Sequence, residues 1–166
     1  MPQHAPNPFP PAHPAHALYE TLTAARPGDA PLLPKQPYNA ALTPAIAGLQ
    51  KAGDLSGVAA ALLHLLNDDL PAAHALAQAG EGDATADYVH QIVHRREGDF
   101  GNTRYWVART GAHPLYGTLA DLSAPHGEPA WKPAQMVTWA ARGEHFAARL
   151  NDAETQRLLA WAVRNG

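Results

Sequence analysis

The sequence contains no cysteine among its 166 residues. This absence excludes disulfide bonds, thiolate metal ligands and a cysteine nucleophile. Residues 1–4 read Met-Pro-Gln-His and do not begin a basic segment followed by an apolar run, so we expect no secretory signal. Because a reducing compartment suits a chain without cysteine, we expect a cytoplasmic protein.

Long apolar runs and a large excess of one charge are also lacking. The longest apolar stretch, residues 58–66, is interrupted by His64 and is far shorter than the roughly 20 residues of a membrane-spanning helix. The formal net charge is only −3, and acidic residues are interleaved with the one basic cluster, formed by Arg95, Arg96, Arg104 and Arg109. We therefore expect neither a membrane nor a nucleic acid as a partner.

Histidine and proline are abundant, with ten and sixteen residues, and ten of the prolines fall within residues 2–37. Proline at this density opposes helix and favours extended backbone. We therefore divide the chain into a proline-rich N-terminal arm, residues 1–42, which can form a short helix at 15–25, and a helical domain, residues 43–166. The arm is either disordered or draped on the surface, or it docks on a partner, on its own domain or on a neighbouring copy, with Phe9 as the anchor.

The helical domain is marked by Asp, Thr and Pro at helix starts and by Gly at helix ends. Predicted N-caps include Thr43, Asp54 and Asp99, and residues 151–154 resemble a capping box that would start the last helix. No segment alternates apolar and polar residues as a strand does. Predicted helices cover residues 45–51, 55–66, 70–79, 85–97, 100–109, 114–122, 133–141 with a continuation to about 150, and the C-terminal segment after 151.

Two segments align when the chain is shifted by 30 residues. Residues 62–74 and 92–104 share a His, an Asp and the large apolar residue after that Asp. Each segment reads as helix, tight turn, Asp cap and helix. Tandem units of this kind begin a solenoid in which each hairpin packs on the next. The fold class is therefore all-α, with antiparallel helical hairpins stacked as a short solenoid or an irregular helical bundle.

The second of these segments carries two resemblances. The turn Glu97-Gly98-Asp99-Phe100, with Tyr105 and Trp106 beyond it, resembles the tetratricopeptide repeat superfamily over residues 55–111. This resemblance implies TPR-like stacking and a concave surface for a protein or peptide. The segment from His94 to Trp106 and the following Gly111-x-His113-Pro114 are also similar to a set of proteins sharing HRREGDxxNxxYW. That second resemblance implies a fold and no activity.

Ligand-type side chains recur on the predicted helix 85–97. Asp87, His90, His94 and Glu97 are spaced by 3, 4 and 3 residues, which places them within about 80° of one helix face. Imidazole and carboxylate together suit a divalent metal such as zinc, iron, manganese or nickel. Apolar residues occupy the opposite side, so we expect this polar face to lie against water or a groove.

Two other interpretations of the same face stay open. A His–carboxylate pair can transfer protons without a metal. A plain polar surface also explains the pattern, because Asp87 lies in the first turn and Arg95 and Arg96 in the last, where the helix dipole favours their charges.

The resulting function hypotheses come from two classes. The first is a helical-repeat module that binds a protein or peptide, alone or as a homodimer, with groove candidates His64, His90, His94, Asn102, Arg104 and His113. The alternative is a metal-binding protein or hydrolase-type enzyme that uses the cluster on helix 85–97. His74 is a further candidate because it adjoins a helix end, and Trp106 is expected to pack between hairpins.

Overall fold

The computed structural model describes residues 5–166, and all regular structure in this range is helical. The all-α class is therefore confirmed. The first four residues of the arm, on which the expectation of no secretory signal rests, lie outside the described range. The helices are α1 (Ala15–Ala25), α2 (Leu42–Ala52), α3 (Gly57–Leu66), α4 (Leu70–Ala79), α5 (Ala84–Glu97), α6 (Phe100–Thr110), α7 (Ala120–Ser123), α8 (Pro133–Arg142) and α9 (Ala147–Asn165), with 3-10 turns at Pro114–Thr118 and Ala124–His126.

The predicted helix starts are correct for helices in which an aspartate side chain caps the first turn. Asp99 accepts a hydrogen bond from the backbone N–H of Asn102 and thereby starts α6. The predicted caps Thr43 and Asp54 are wrong. The Thr43 hydroxyl lies within α2 and donates to Asp69 at 2.7 Å. Ser56, rather than Asp54, caps α3 by accepting from the N–H of Ala59.

The predicted capping box at residues 151–154 is also wrong, because these residues lie well inside α9. Glu154 is fully buried, and its carboxylate accepts hydrogen bonds from Arg95 at 2.6 Å and from the Tyr88 hydroxyl at 2.8 Å. The preceding helix α8 ends at Gly143, whose φ of 69° is left-handed, so it does not continue to residue 150.

The turns of the two aligned segments have the same backbone geometry. Asp69 and Asp99 have φ, ψ angles of −89°, 76° and −90°, 77°. The N–H of each aspartate donates at 2.9 Å to the carbonyl of the aligned histidine, His64 or His94. The residue before each aspartate is left-handed; Gly98 takes this position in the second turn, with φ 78°, and Asp68 takes it in the first, with φ 59°.

Helix α5 lies at the centre of the fold and packs against α3, α4, α6 and α9. Twelve of its fourteen residues are buried. The expectation that its polar face lies against water or a groove is wrong for Asp87, His90 and His94, which are buried, whereas Glu97 is exposed. Helices α4 and α6 cover this face from both sides.

Two arginines near the end of α5 anchor it to other helices. Arg95 pairs with Glu154 of α9, and Arg96 donates to Asp68 at 2.5 Å. Both arginine side chains are only 1% exposed. Asp68 also accepts from Arg26 at 2.8 Å, so one carboxylate joins α5, the end of α1 and the turn between α3 and α4. The sequence indicated only a favourable interaction of Arg95 and Arg96 with the helix dipole.

The N-terminal segment contributes to the same core as the helices that follow it. Phe9 is 2% exposed and lies edge-on to Tyr19, with ring centroids 6.2 Å apart. The backbone N–H of Ala5 donates to the Gln156 side chain of α9 at 3.0 Å. Among residues 5–166, no helix combines the length and the apolar character needed to cross a membrane.

Candidate metal centre

Three histidines from two neighbouring helices meet beside the middle of α5. His90 and His94 are one turn apart on α5, so their side chains share a face, and His74 approaches them from α4. One ring nitrogen from each histidine lies within 4.8 Å of the other two. His74 and His90 are each eight positions from Gly82 in the turn between α4 and α5, so an antiparallel hairpin brings them level.

The ring nitrogens are close enough for a shared ion. The Nε2 atoms of His74 and His90 are 3.1 Å apart. The rings of His90 and His94 are stacked at 5.0 Å with an interplanar angle of 11°, and the His74 ring lies edge-on to both, at 4.8 and 4.9 Å. Three nitrogens on one ion with bonds of 2.0–2.1 Å would lie about 3.3 Å apart in a tetrahedral site. The nitrogens of His74 and His90 are close to this spacing, and a nitrogen of His94 lies within 4.8 Å of both.

The Glu97 carboxylate lies next to the Nδ1 atoms of two of these rings. Its Oε1 is 3.1 Å from Nδ1 of His74, and its Oε2 is 3.0 Å from Nδ1 of His94. The hydrogen bond between Glu97 and Nδ1 of His74 favours the tautomer that leaves Nε2 free to bind a metal, as in carboxylate–histidine–zinc arrangements. Nδ1 of His94 is within ion-pair distance of Glu97 but makes no hydrogen bond. Glu97 is thus placed to orient His74 and lies next to His94, although the sequence predicted it as a ligand.

Aromatic and basic side chains of α6 cover the inner part of the cluster. The Trp106 ring stacks on His90 with centroids 3.8 Å apart and an interplanar angle of 21°. The Arg109 guanidinium carbon lies 5.2 Å from the Trp106 ring centroid, within the range of a cation–π contact. Trp106 therefore packs on α5 within its own hairpin, where its ring restricts the orientation of His90, whereas it was expected to pack between hairpins.

Burial favours the neutral form of His90 and His94, which is the form that binds metals. Burial, together with the nearby His74, His94 and Arg109, lowers the pKa of His90 to about 4. Burial also lowers the pKa of His94, although Glu97 opposes this shift. The Nδ1 atom of His90 is buried and has no hydrogen-bond partner.

Access to the cluster comes from the side of His74 and Glu97. These side chains are 33% and 31% exposed, whereas His94 is 10% exposed and His90 is almost fully buried. The cluster is therefore closest to solvent at His74 and Glu97.

Asp87, predicted as a fourth ligand, does not join the three histidines. Its Oδ1 accepts a hydrogen bond from the backbone N–H of Gly82 at 3.0 Å, and its Oδ2 lies 3.9 Å from Nε of Arg109. The carboxylate thus holds the turn before α5, because it lies in the first helical turn, close to the free backbone N–H groups.

The remaining groove candidates do not line one surface with the cluster. His64 is buried with its Nδ1 3.5 Å from Asp69, since it faces the turn of its own hairpin. His113 accepts from the N–H of Leu115 and starts the 3-10 turn at Pro114–Thr118. Asn102 and Arg104 are exposed on α6, and Asn102 donates to the cap residue Asp99 at 2.7 Å. Binding of a protein or peptide stays a prediction.

Comparisons with known protein families, with curated proteins and with solved structures find no match to this chain. The candidate centre is therefore interpreted from its own geometry.

Proposed function

We propose that the protein binds a divalent metal ion through His74, His90 and His94, with Glu97 as the carboxylate that orients His74 and lies next to His94. The observation that carries the proposal is the 3.1 Å separation of two Nε2 atoms, combined with a carboxylate on Nδ1 of His74 and His94. The lowered pKa values of His90 and His94 favour the neutral form of these two rings, which avoids repulsion between imidazolium groups.

The donor set favours zinc among the metals that the sequence suggests. Imidazole ligands suit zinc, iron and nickel, whereas manganese prefers sites with more oxygen ligands. Three protein ligands leave a coordination position open, which is the arrangement of catalytic rather than structural zinc sites. Zinc lowers the pKa of a bound water to about 7, so a hydrolytic activity is the chemistry that such a centre would support.

Elemental analysis of the untagged protein, followed by zinc titration of the metal-free form, tests the proposal. We expect one zinc per chain in the wild type and no stoichiometric binding in His74→Ala. Because His74 is partly exposed, this variant should keep its fold, which circular dichroism would check. The matched control is His145→Ala, which removes an exposed histidine outside the cluster.

Glu97→Gln provides a graded test of the orienting carboxylate. Loss of a carboxylate that positions metal ligands typically weakens metal binding by about 10–100-fold. A zinc affinity of His74→Ala equal to that of the wild type would refute the three-histidine site. An unchanged affinity of Glu97→Gln would refute only the role of Glu97.

A further inference from the structure

A cavity of about 910 Å³ adjoins the metal centre on the side of Glu97. Its walls come from the proline-rich segment between α1 and α2, the start of α4 and the end of α5. The walls are mainly apolar, and they include Leu33, Pro34, Pro37, Leu70, Pro71 and Glu97. The volume lies in the range of small-molecule sites, which are typically concave, mostly apolar and equipped with a few polar groups.

The segment that forms the outer wall is held at both ends. Near its start, Arg96 donates to the carbonyl of Leu32 at 3.2 Å. Near its end, Asn67 donates to the carbonyl of Asn39 at 2.9 Å and accepts from the N–H of Asn39 at 3.0 Å. Between these anchors, Pro34 and Pro37 present apolar rings to the cavity and have no N–H group that would need a partner. The cavity is therefore largely preformed, which reduces the entropy lost on binding.

The charged side chains of the cavity wall are three acidic ones, Asp68, Asp69 and Glu97, and two basic ones, Lys35 and Arg96. The Asp68 carboxylate is paired with Arg96 and Arg26, and the Asp69 carboxylate accepts hydrogen bonds from the Thr43 hydroxyl and the N–H of Ala72. Lys35 lies on the exposed proline-rich segment. Glu97 is the exposed member of the three acids and sits where the cavity meets the histidine cluster.

We propose that this cavity binds a small molecule with an apolar body and a primary amine, which pairs with Glu97. The apolar body lies against the prolines and leucines of the walls. Because the same carboxylate orients His74 and lies next to His94, the amine and the histidines compete for Glu97. This competition makes the amine a regulator of the metal centre, a consequence that rests on the proposed metal-binding function.

Three probes with one apolar body and different head groups test the site: octylamine, octanol and octanoate. They are titrated into the metal-free protein and followed by NMR chemical shifts, so this measurement does not depend on the metal. We expect octylamine to bind at least about tenfold tighter than octanoate, with octanol between them. Equal affinities, or tighter binding of octanoate, would overturn the proposal.

Two variants locate the binding in this cavity. Glu97→Gln should remove the preference for octylamine, whereas Glu128→Gln, which changes a carboxylate outside the cavity, should keep it. Ala40→Trp adds a large side chain to the cavity wall and should weaken all three probes by about tenfold or more. Unchanged binding in Ala40→Trp would also overturn the proposal, provided that circular dichroism shows a native fold.

The effect on the metal centre is measured separately. Saturating octylamine should raise the zinc dissociation constant of the wild type by about 10–100-fold, the range expected when the orienting carboxylate is lost, and octanol should not. A zinc dissociation constant that does not change with octylamine would overturn the proposed competition for Glu97. Absence of zinc binding without any amine refutes the proposed metal function, while the preference of the cavity for the amine stands on the metal-free titrations.

Discussion

The most informative perturbation of the fold is Asp68→Asn. The Asp68 carboxylate is 6% exposed and accepts hydrogen bonds from two buried guanidinium groups, those of Arg26 and Arg96. Arg26 has a second carboxylate, Asp152, at 3.0 Å. Among the described residues Arg96 otherwise donates to backbone carbonyls, so the substitution removes the carboxylate that its buried guanidinium contacts directly.

The choice of asparagine separates charge from backbone conformation. Asp68 has a left-handed φ of 59°, which asparagine adopts nearly as readily as aspartate and alanine does not. Removing one partner of a buried ion pair costs about 3–5 kcal/mol. Since a chain of this size loses about 2–4 °C in Tm per kcal/mol, we expect a decrease of roughly 6–20 °C.

Thermal and urea unfolding, monitored by circular dichroism, measure this loss. The control is Asp121→Asn, which removes the partner of Arg157 in an ion pair where the Asp121 side chain is 61% exposed. An exposed pair contributes about 0–1 kcal/mol, so the control should change Tm little. If Asp68→Asn destabilised the protein by less than about 1 kcal/mol, the buried charge of Arg96 would not depend on Asp68, and the reasoning would be refuted.

Two further predictions concern pH and the N-terminal segment. Burial lowers the pKa of His90 from 6.5 to about 4 in the folded protein, so the unfolded chain binds the proton more readily between these values. The free energy of unfolding of the metal-free protein should therefore fall as the pH decreases from 6.5 to 4, and His90 should contribute at most about 3 kcal/mol to this fall. If the free energy of unfolding of His90→Asn depended on pH in the same way, the prediction would be contradicted. Phe9→Ala should lower the free energy of unfolding by about 3–5 kcal/mol, because it empties a buried site shared with Tyr19; a change below 1 kcal/mol in urea unfolding would mean that the segment is not part of the core.

Structural features that depend on residues close together in the sequence could be predicted. The aspartate cap at Asp99 and the helix end at Gly98 follow from local hydrogen bonds and from the left-handed conformation that glycine tolerates. The pattern of residues 151–154 also fits a local rule, yet Glu154 lies inside α9. Its partner Arg95 is 59 residues away in the sequence, and a contact of this separation leaves no local pattern.

The candidate site was predictable only in part. His90 and His94 follow from helical spacing, and the pairing of His74 with His90 could have been found from their equal separation from Gly82. Asp87 was wrongly predicted as a ligand. It lies on the same face of α5 as His90 and His94, but in the first turn of the helix, whereas His74 lies opposite the middle of the helix. The stacking of Trp106 on His90 depends on how α6 packs against α5, which the sequence does not specify.

The buried ion pairs and the metal centre are connected through the start of α4. Asp68 fixes the turn that Asp69 caps, and His74 follows one turn later on the same helix. Because α5 is held by Arg96 at the same carboxylate, we expect Asp68 to influence how the helices that supply His74 and His90 pack on each other. We therefore expect Asp68→Asn to weaken zinc binding even at temperatures where the protein is folded, since ligands that are less well positioned must be ordered when the ion binds. Isothermal titration with zinc at 20 °C would measure this, with Asp121→Asn as the control. An affinity equal to the control would mean that the packing of α4 on α5 positions His74 without help from the ion pairs.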